Sequence, residues 1–299
     1  MSLVVVGSLA FDTIETPYGR KEKIVGGSCT YFSLAASYFT QPKVVGVVGE
    51  DFPEEIINLF KKRGIDTEGL KIEPGRTFHW EALYGDDPNQ RTTIKTELNV
   101  FKDYRPQLPA NYRDADLVFL ANIDPDLQDE ILSQVQKPKL IAMDTMNLWI
   151  NTKPIPLLKT IEKVDIFFAN DEEIKLLTRE ANLVKAGKKI LEMGPSLIVV
   201  KKGEHGALLL GKEFVFAVLA HPCEDVIDPT GAGDSFAGGF MGYLDKVNSF
   251  DEAEIRKAAV YGSAMASFTI EDFGIERLKS LSFQDIEARF VQFKRLISF

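Results

Sequence analysis

A small-residue segment at positions 228–240 carries the residue types whose spacing could do chemistry. It reads Asp-Pro-Thr-Gly-Ala-Gly-Asp-Ser-Phe-Ala-Gly-Gly-Phe, and a helix is predicted to begin within it. Gly231, Ala232 and Gly233 let the backbone approach a ligand closely, while unpaired N–H groups at the helix start face outward. An anion held there is stabilised by those donors and by the positive end of the helix. Asp234, beside this anion hole, could take a proton from a hydroxyl group as it attacks a phosphorus atom.

Asp234 also has a structural interpretation, because Asp is a common helix N-cap residue. Taken alone, a Gly-Ala-Gly-Asp turn favours the cap over catalysis, so the rest of the segment must decide between them. Both interpretations place Asp234 at the start of the helix that follows the glycines.

The composition predicts a folded protein and argues against nucleic acid or an anionic membrane as its partner. The chain has 299 residues, of which 45% are hydrophobic and 26% are charged, and its formal net charge is −9. An acidic chain without a basic run is a poor candidate for binding nucleic acid or anionic membranes. A phosphate ligand would therefore be held by backbone amides or a metal ion rather than by many basic side chains.

The sequence further predicts a reduced, cytoplasmic protein. Cys29 and Cys223 offer neither a disulfide framework nor the spacing of a zinc site. No apolar stretch approaches the roughly 20 residues that a bilayer-spanning helix needs. The N-terminus lacks the basic region of a signal peptide and runs directly into a predicted strand.

Apolar runs and helical patterns alternate along the chain, and these elements must position the candidate residues. Continuous apolar runs predict strands at positions 3–6, 44–48, 117–120, 140–143, 166–168 and 197–200. Helical patterns lie between and after them, at positions 28–39, 52–63, 127–136, 172–178, 183–192, 234–244, 252–270 and 283–296. Fully apolar strands that alternate with helices predict an α/β fold with a doubly wound, mostly parallel central sheet flanked by helices.

Two segments, at about 11–25 and 76–99, interrupt this alternation. They alternate polar and apolar residues, as in Phe-His-Trp-Glu-Ala-Leu-Tyr at 78–84, and residues 85–89 supply a turn. This pattern is typical of antiparallel hairpins with one face exposed or covered by something other than helices. We therefore expect one small antiparallel β-sheet that projects from the α/β body.

The 228–240 segment closely resembles the C-terminal signature of the ribokinase-like, or PfkB-type, carbohydrate kinases. Other matches follow in order along nearly the full chain, so the resemblance implies one ribokinase-like kinase domain over residues 1–299. It identifies the two hairpin segments as a lid that closes over the phosphoryl acceptor, and a homodimer through the lid is expected. The implied reaction moves the γ-phosphate of ATP to a primary hydroxyl of a sugar, with Mg²⁺ as cofactor. Asp234 would be the general base, and the amides of Gly231, Ala232 and Gly233 would form the anion hole.

The resemblance also implies a binding site for the acceptor. Residues 7–12 look like the family's first strand, which ends in an Asp that binds substrate hydroxyls, here Asp12. Gly26 and Gly27 resemble the Gly-Gly turn that opens the next helix beside the sugar. Asn147 lies in the segment Asp-Thr-Met-Asn-Leu-Trp, which is similar to the family's Asp-x-Asn-x-x-Trp motif.

A second group of residues matches the family's nucleotide-binding motifs, namely Asn170, Glu173, Lys202, Gly203, Gly206 and Thr230. Asn170 and Glu173 fit the Asn-x-x-Glu motif, which organises Mg²⁺ and the nucleotide phosphates through water. Their alternative is a capping box at an ordinary helix start. Asp228 lies where many family members bind K⁺, and its alternative is a turn carboxylate before Pro229.

Tyr31 departs from the pattern of many ribokinases, which carry an Asn that binds a sugar hydroxyl at this position. Cys29 and Thr30 also make the pocket less polar than a ribose site. Tyr31 could stack on a flat base or ring, or pack under the lid. A nucleoside kinase with Tyr31, Phe78 and Trp80 as aromatic lining is therefore the alternative to a sugar kinase. A catalytically silent scaffold is a third alternative, but it has no physical need of the Asp234 segment.

Overall fold

The computed structural model describes residues 1–298 and contains a nine-stranded main sheet and a four-stranded lid sheet. The strands are β1 (Leu3–Val6), β2 (Ala10–Thr16), β3 (Gly19–Gly26), β4 (Lys43–Gly49), β5 (Asp66–Glu73), β6 (Phe78–Tyr84), β7 (Arg91–Glu97), β8 (Leu117–Leu120), β9 (Leu140–Asp144), β10 (Ile166–Asn170), β11 (Leu197–Lys201), β12 (Ala207–Gly211) and β13 (Val215–Val218). The helices are α1 (Ser28–Ala36), α2 (Glu54–Lys62), α3 (Pro125–Leu132), α4 (Asn147–Thr152), α5 (Pro154–Ile161), α6 (Asp171–Thr178), α7 (Leu183–Leu191), α8 (Ala232–Val247), α9 (Glu252–Thr269), α10 (Glu276–Ser280) and α11 (Phe283–Leu296). None of these helices combines the length and the apolar character required to span a lipid bilayer.

The main sheet has the strand order β13-β12-β11-β10-β9-β8-β1-β4-β5. Neighbouring strands from β11 to β5 pair in parallel, whereas β12 pairs antiparallel with both β11 and β13. The mostly parallel sheet expected from the apolar runs is therefore confirmed.

Helices cover both faces of the main sheet, because its strands are apolar on both sides. In β1, Leu3 and Val5 join the apolar cluster beneath α1, α2, α8 and α9. The alternate residues Val4 and Val6 join the opposite cluster beneath α3, α5, α6 and α7. Successive side chains of a strand point to opposite faces, so this division confirms the doubly wound arrangement.

Helix α8, which carries Asp234, packs closely between α1 and α9. A Cβ atom at Gly238 would lie 2.3 Å from the Phe32 carbonyl oxygen of α1, and one at Gly239 would lie 2.9 Å from the Tyr261 carbonyl oxygen of α9. Glycine permits these backbone approaches, although it costs about 1 kcal/mol relative to Ala inside a helix. The close packing on both sides fixes where α8 begins.

The lid sheet has the order β3-β2-β6-β7 and consists of two antiparallel hairpins, as expected. The hairpins join through β2 and β6, which pair in parallel over the register from Ala10–Phe78 to Glu15–Leu83. Paired residues of parallel strands lie on the same face. Phe78 and Trp80 therefore lie on the same lid face as their partners Ala10 and Asp12.

Strand β1 ends at Val6, so the expectation that the first strand reaches Asp12 is wrong. Asp12 is instead the third residue of lid strand β2. The chain leaves the main sheet at Gly7, where a Cβ atom would lie 2.7 Å from Ala121 Cβ. Asp12 therefore lies in the lid, within the segment at about 11–25 that the sequence predicted to interrupt the main sheet.

Strand β5, at one edge of the main sheet, was not expected from the sequence. Its residues, Asp-Thr-Glu-Gly-Leu-Lys-Ile-Glu, lack a continuous apolar run. An edge strand tolerates charged residues because only one of its sides pairs with the sheet. The absence of an apolar run in β5 therefore reflects its position at the edge.

Candidate active site

The predicted anion hole lies at the N-terminus of α8. Gly231 is the N-cap residue, and its φ of 77° lies in the left-handed region that favours glycine. A Cβ atom at Gly231 would lie 2.3 Å from Tyr31 Cγ, so packing also excludes a side chain here. Asp234 is the third residue of the helix and is half-buried. The interpretation of Asp234 as an N-cap is therefore wrong.

Several backbone N–H groups at this helix start have no protein acceptor. The N–H of Ala232 donates to the Pro229 carbonyl over 3.3 Å, and Ser235 donates to the Gly231 carbonyl over 2.8 Å. Within residues 1–298, no protein hydrogen bond engages the N–H groups of Gly231, Gly233 or Asp234. Three donors at the positive end of a helix can bind an anion.

Three adjacent strands end in polar residues near this helix start. Asp144 ends β9, Asn170 ends β10 and Lys201 ends β11, with Asn170 and Lys201 in register. Lys201 Nζ lies 2.5 Å from Asp144 Oδ2 and would lie 3.0 Å from a Cβ atom at Gly233. The partly buried Lys201 ammonium group therefore lies close to both the Asp144 carboxylate and the anion hole.

Burial and the charges around Asp234 together raise its pKa. Burial, followed by the charge of Asp144, raises the pKa of Asp234 to about 7, and the cations Lys201 and Arg91 oppose this rise. Burial lowers the pKa of Lys201, but Asp144 and Glu173 outweigh that effect, so the pKa is raised overall and the ammonium stays charged. A carboxylate with a pKa near neutrality suits general-base catalysis at physiological pH.

Asn170 and Glu173 form the capping box that was the alternative to a nucleotide site. Asn170 Oδ1 accepts the Glu173 N–H over 2.8 Å, and Glu173 Oε2 accepts the Asn170 N–H over 2.7 Å. Glu173 is nevertheless buried, and this burial raises its pKa to about 7. The box engages Oε2 and leaves Oε1 for another partner, so the cap does not exclude a second role.

The donor set beside Glu173 fits a hydrated Mg²⁺ better than a metal held by protein alone. Among residues 1–298, no three His, Cys, Asp or Glu side chains are grouped to hold a metal ion. Mg²⁺ in nucleotide sites usually keeps several waters and takes phosphate oxygens together with one or two carboxylates. One buried carboxylate with a free oxygen is compatible with that chemistry.

The predicted acceptor residues Asp12, Gly26 and Gly27 lie together where the lid joins the body. Asp12 is 3% exposed, and a Cβ atom at Gly26 would lie 1.9 Å from Asp12 Oδ2. Gly27 is the N-cap of α1, with a φ of 94°. Burial, followed by the charge of Asp228, raises the pKa of Asp12 to about 8. Gly26 thus makes room for the buried Asp12 carboxyl group, whereas Gly27 permits the close approach of the Ser8 carbonyl oxygen, which would lie 2.6 Å from a Cβ atom there.

Tyr31 lies between the acceptor residues and the anion hole. Its Cγ, Cδ1 and Cδ2 atoms lie within 2.4 Å of a Cβ position at Gly231, and its Cε2 lies 3.4 Å from one at Gly26. The side chain is 1% exposed, and its hydroxyl has no hydrogen-bond partner in residues 1–298. The ring is covered by Gly231, so it packs inside the site rather than offering an open face.

Asn147 is the first residue of α4, directly beyond the end of β9, and it is exposed. Its neighbour Trp149 is anchored, because the indole Nε1 donates to Asn122 Oδ1 over 2.9 Å. No hydrogen bond within residues 1–298 joins the Asn147 side chain to the buried group around Asp12.

The predicted nucleotide-binding turn forms a closed loop between β11 and β12. Lys202 donates its N–H to the Gly206 carbonyl over 2.8 Å, and Gly203 and Gly206 have φ values of 52° and 77°. The lid reaches this turn, because Asn89 Nδ2 donates to Glu204 Oε2 over 2.7 Å. The lid therefore touches the side of the cleft assigned to the nucleotide.

Asp228 and Thr230 connect the glycine segment to its surroundings. Asp228 Oδ1 accepts the Thr230 N–H, and Oδ2 accepts the Gly274 N–H, each over 2.9 Å. Thr230 Oγ1 donates to the hydroxyl of Tyr84 on the lid over 3.2 Å. Asp228 therefore holds the turn before α8 through its two carboxylate oxygens, as the structural alternative to K⁺ binding predicts. K⁺ binding at Asp228 stays a prediction.

Lys201 and Arg91 are charged residues of the site that the sequence analysis missed. Arg91 on β7 is the register partner of Tyr84 on β6, and its guanidinium lies 5.9 Å from the Trp80 ring. Its charge lowers the pKa of Asp234, so the lid brings a cation toward this carboxyl group. Lys201 could have been found from its place after a buried strand, whereas Arg91 required the lid register.

Comparisons with known proteins show which kinases this chain is similar to. A family model described as pfkB family carbohydrate kinase matches residues 2–279. A cytidine kinase from Thermococcus kodakarensis is 29% identical over 258 residues, covering 84% of this chain and 91% of that protein. A nucleoside kinase from Methanothermobacter thermautotrophicus is 28% identical over 295 residues, covering 92% of this chain and 91% of that protein.

Among solved structures, an Escherichia coli protein described as a ribokinase II, in complex with ATP and Mg²⁺, superposes with a TM-score of 0.78. The two chains are 21% identical, and the match covers 97% of this chain and 99% of that one. This likeness shows the shared ribokinase-like fold. Together with the family match over residues 2–279, it establishes that the chain belongs to the PfkB family of carbohydrate kinases, which includes sugar and nucleoside kinases.

Proposed function

We propose that this protein transfers the γ-phosphate of ATP to the primary hydroxyl of a nucleoside, with Asp234 as general base. The observation that carries the proposal is the half-buried Asp234 in the first turn of α8, beside three N–H groups without protein acceptors. Burial raises its pKa to about 7, so that a proton can be taken up and released near neutral pH. The first N–H groups of any helix lack intrahelical acceptors, so the half-buried carboxylate with a raised pKa beside them is what distinguishes this helix start.

Each charged group has a role in the proposed transfer. Asp234 accepts the proton of the acceptor hydroxyl while the new O–P bond forms and the bond from the γ-phosphorus to ADP breaks. The N–H groups of Gly231, Gly233 and Asp234 stabilise the charge that spreads over the transferring group. Lys201 adds a permanent cation behind this anion hole, and Arg91 adds one from the lid. Phosphoryl transfer depends mainly on such positioning and charge neutralisation.

ATP would bind between the anion hole and the turn containing Lys202, Gly203 and Gly206, with Thr230 beside it. Glu173, together with Asn170, would hold Mg²⁺ through water, and the ion would neutralise the nucleotide phosphates when bound. This arrangement explains how a chain with a net charge of −9 accommodates a polyanion. K⁺ at Asp228 is part of the same prediction and would have to share a carboxylate that already accepts two N–H groups.

Two observations favour a nucleoside over the free sugar that the sequence analysis placed first. Phe78 and Trp80 share the lid face of Asp12, so a flat ring held near Asp12 would meet aromatic side chains. The cytidine kinase and the nucleoside kinase named above are also similar to this chain over most of its length. Asn147, exposed at the start of α4, would contact the acceptor from the body side of the site.

A coupled assay of ADP release over nucleosides, pentoses and hexoses tests the proposal. We expect turnover with at least one ribonucleoside and none with Asp234→Asn. Turnover with sugars alone would favour the sugar-kinase alternative. Inactivity with every acceptor, together with no ATP binding by calorimetry, would favour a catalytically silent scaffold.

The homodimer through the lid is a further part of the proposal. The outer strands β3 and β7 each leave one edge unpaired, and most of their residues are exposed. Exposed strand edges are commonly covered by another chain. Sedimentation at micromolar concentration should show a dimer, and a monomer would contradict this expectation.

A further inference from the structure

We propose that the Tyr31 hydroxyl selects the acceptor by donating a hydrogen bond to one hydroxyl group of its ribose-type ring. The inference rests on the proposed nucleoside kinase function and adds a specificity-determining residue to its acceptor site. Tyr31 would act from the wall between the anion hole and Asp12, not by stacking on the base.

The position of the ring excludes stacking. The Cγ, Cδ1 and Cδ2 atoms of the Tyr31 ring lie against Gly231, within 2.4 Å of a Cβ position there. The Cε2 atom of the ring faces Gly26, 3.4 Å from a Cβ position at that residue. At Gly26, Asp12 Oδ2 lies 1.9 Å from the same Cβ position. The hydroxyl end of the side chain is therefore directed toward the Asp12 side of the site, while the ring face is already occupied.

The Tyr31 hydroxyl group is buried and has no hydrogen-bond partner within residues 1–298. Tyr31 as a whole is 1% exposed. Burying an unpaired hydroxyl costs free energy, so a site that retains one normally satisfies it with a ligand or water. Burial, followed by the charges of Asp228 and Asp12, raises the pKa of Tyr31 well above 10. The group therefore stays protonated and can donate.

The acceptor completes this arrangement only if it presents an oxygen between Tyr31 and Asp12. A hydroxyl of the acceptor could accept from Tyr31 and donate to Asp12, so one sugar oxygen would satisfy both buried groups. A site built to bind a substrate hydroxyl discriminates strongly against an analogue that lacks it, because the protein group is then left unpaired. Deoxy analogues should therefore be poor acceptors.

The test compares the KM values of the wild type and Tyr31→Phe for cytidine, 2′-deoxycytidine and 3′-deoxycytidine in steady-state assays. If the wild type phosphorylates only sugars, ribose and 2-deoxyribose replace these nucleosides. We expect Tyr31→Phe to raise the KM for the parent acceptor about tenfold, with the KM for ATP unchanged. For one deoxy analogue, the variant and the wild-type enzyme should have the same KM, because that analogue lacks the oxygen that Tyr31 binds. An unchanged KM for the parent, or an equal loss for all acceptors, would overturn the inference.

Urea unfolding of the protein without ligands provides a second readout that does not depend on activity. Tyr31→Phe should unfold at the same urea concentration as the wild type or a higher one, because it removes an unpaired hydroxyl without changing the ring. Tyr112→Phe is the matched control, since Tyr112 is also fully buried but its hydroxyl accepts the Gly69 N–H over 3.4 Å. That control should lower the midpoint and leave the KM values unchanged.

The two readouts separate failure of this inference from failure of the proposed function. A wild-type enzyme that phosphorylates nothing in the panel would contradict the proposed function. A lowered midpoint for Tyr31→Phe would show that the hydroxyl already has a structural partner, which would overturn the inference whatever the activity.

Discussion

Lys201 Nζ lies 2.5 Å from Asp144 Oδ2, although the two residues end strands that are separated by β10. The pair is largely shielded from solvent, with side-chain exposures of 18% and 3%. It sets a positive charge beside Gly233 and a negative charge near Asp234. The acidity of the proposed base therefore depends on a contact that neither residue could form without the parallel sheet.

Replacing Lys201 with Met should destabilise the protein by about 3 kcal/mol, because it leaves the buried Asp144 carboxylate without its partner. Urea unfolding at pH 7 measures the change. The double variant Lys201→Met/Asp144→Asn is the matched control, and it should recover most of the loss because no unpaired charge remains. A single variant as stable as the wild type would contradict the buried ion pair.

Asp234→Asn should reduce kcat by about 10²- to 10⁴-fold, the usual contribution of a general base. ATP binding by calorimetry should stay near the wild-type value, because the backbone donors of α8 are unchanged. Asp103→Asn, at an exposed site, is the matched control and should have wild-type kcat. A kcat within a few-fold of wild type would refute the role of Asp234.

Activity should depend on pH through Asp234. Burial and the Asp144 charge raise its pKa to about 7, and only the deprotonated form can accept a proton. The value of kcat/KM for the acceptor should therefore increase from pH 6 to pH 8 and then level off, at roughly tenfold change per pH unit on the acidic side. A profile that is flat across this interval, with saturating Mg²⁺ and ATP, would contradict the assignment.

Stability should change with pH in the opposite direction. Burial raises the pKa of Asp12 to about 8, from an ordinary value of 3.8, and those of Asp234 and Glu173 to about 7. Between these ordinary and raised values the folded protein binds more protons than the unfolded chain, so its free energy of unfolding falls as pH rises. Urea unfolding at pH 5, 6.5 and 8 should show this decline, and Asp12→Asn should make it shallower. A free energy of unfolding that stays constant from pH 5 to pH 8 would contradict the raised pKa values of these carboxyl groups.

Arg91→Gln should lower kcat/KM by about 10²-fold, a typical effect of losing one group that stabilises transition-state charge. Lys95→Gln on the same strand is the matched control, because Lys95 pairs with Glu97 over 3.1 Å and is half-exposed. It should retain wild-type kinetics in the same coupled assay. Equal kinetics for the two variants would show that Arg91 does not reach the transferring phosphate.

The sequence predicts the strands of this fold well where a continuous apolar run marks the whole strand. Strands β1 and β8 begin and end at the predicted residues, because each is a continuous apolar run buried on both faces. β5 was missed because charged residues interrupt its apolar pattern. Asp12 was placed both at the end of the family's first strand and inside the lid segment at about 11–25, and the structure confirms only the lid position.

The site was predictable where the chemistry lies within one segment and not where it depends on long-range pairing. The 228–240 segment contains both the glycine turn and Asp234, and its resemblance to the family signature assigned their predicted roles, while the structure places both at the start of α8. The Lys201–Asp144 pair joins residues 57 positions apart, and Arg91 reaches the site only through the lid register. The covered ring of Tyr31 depends on how α1 meets the start of α8, which local sequence does not encode.

The hydrogen bond from Asn89 to Glu204 links the tip of the lid to the turn at residues 202–206, where ATP is predicted to bind. A Cβ atom at Gly203 would lie 2.0 Å from Asn89 Oδ1, so the two surfaces fit without spare room. The position of this turn and the position of the lid tip are therefore linked through the contacts of Asn89 with Gly203 and Glu204.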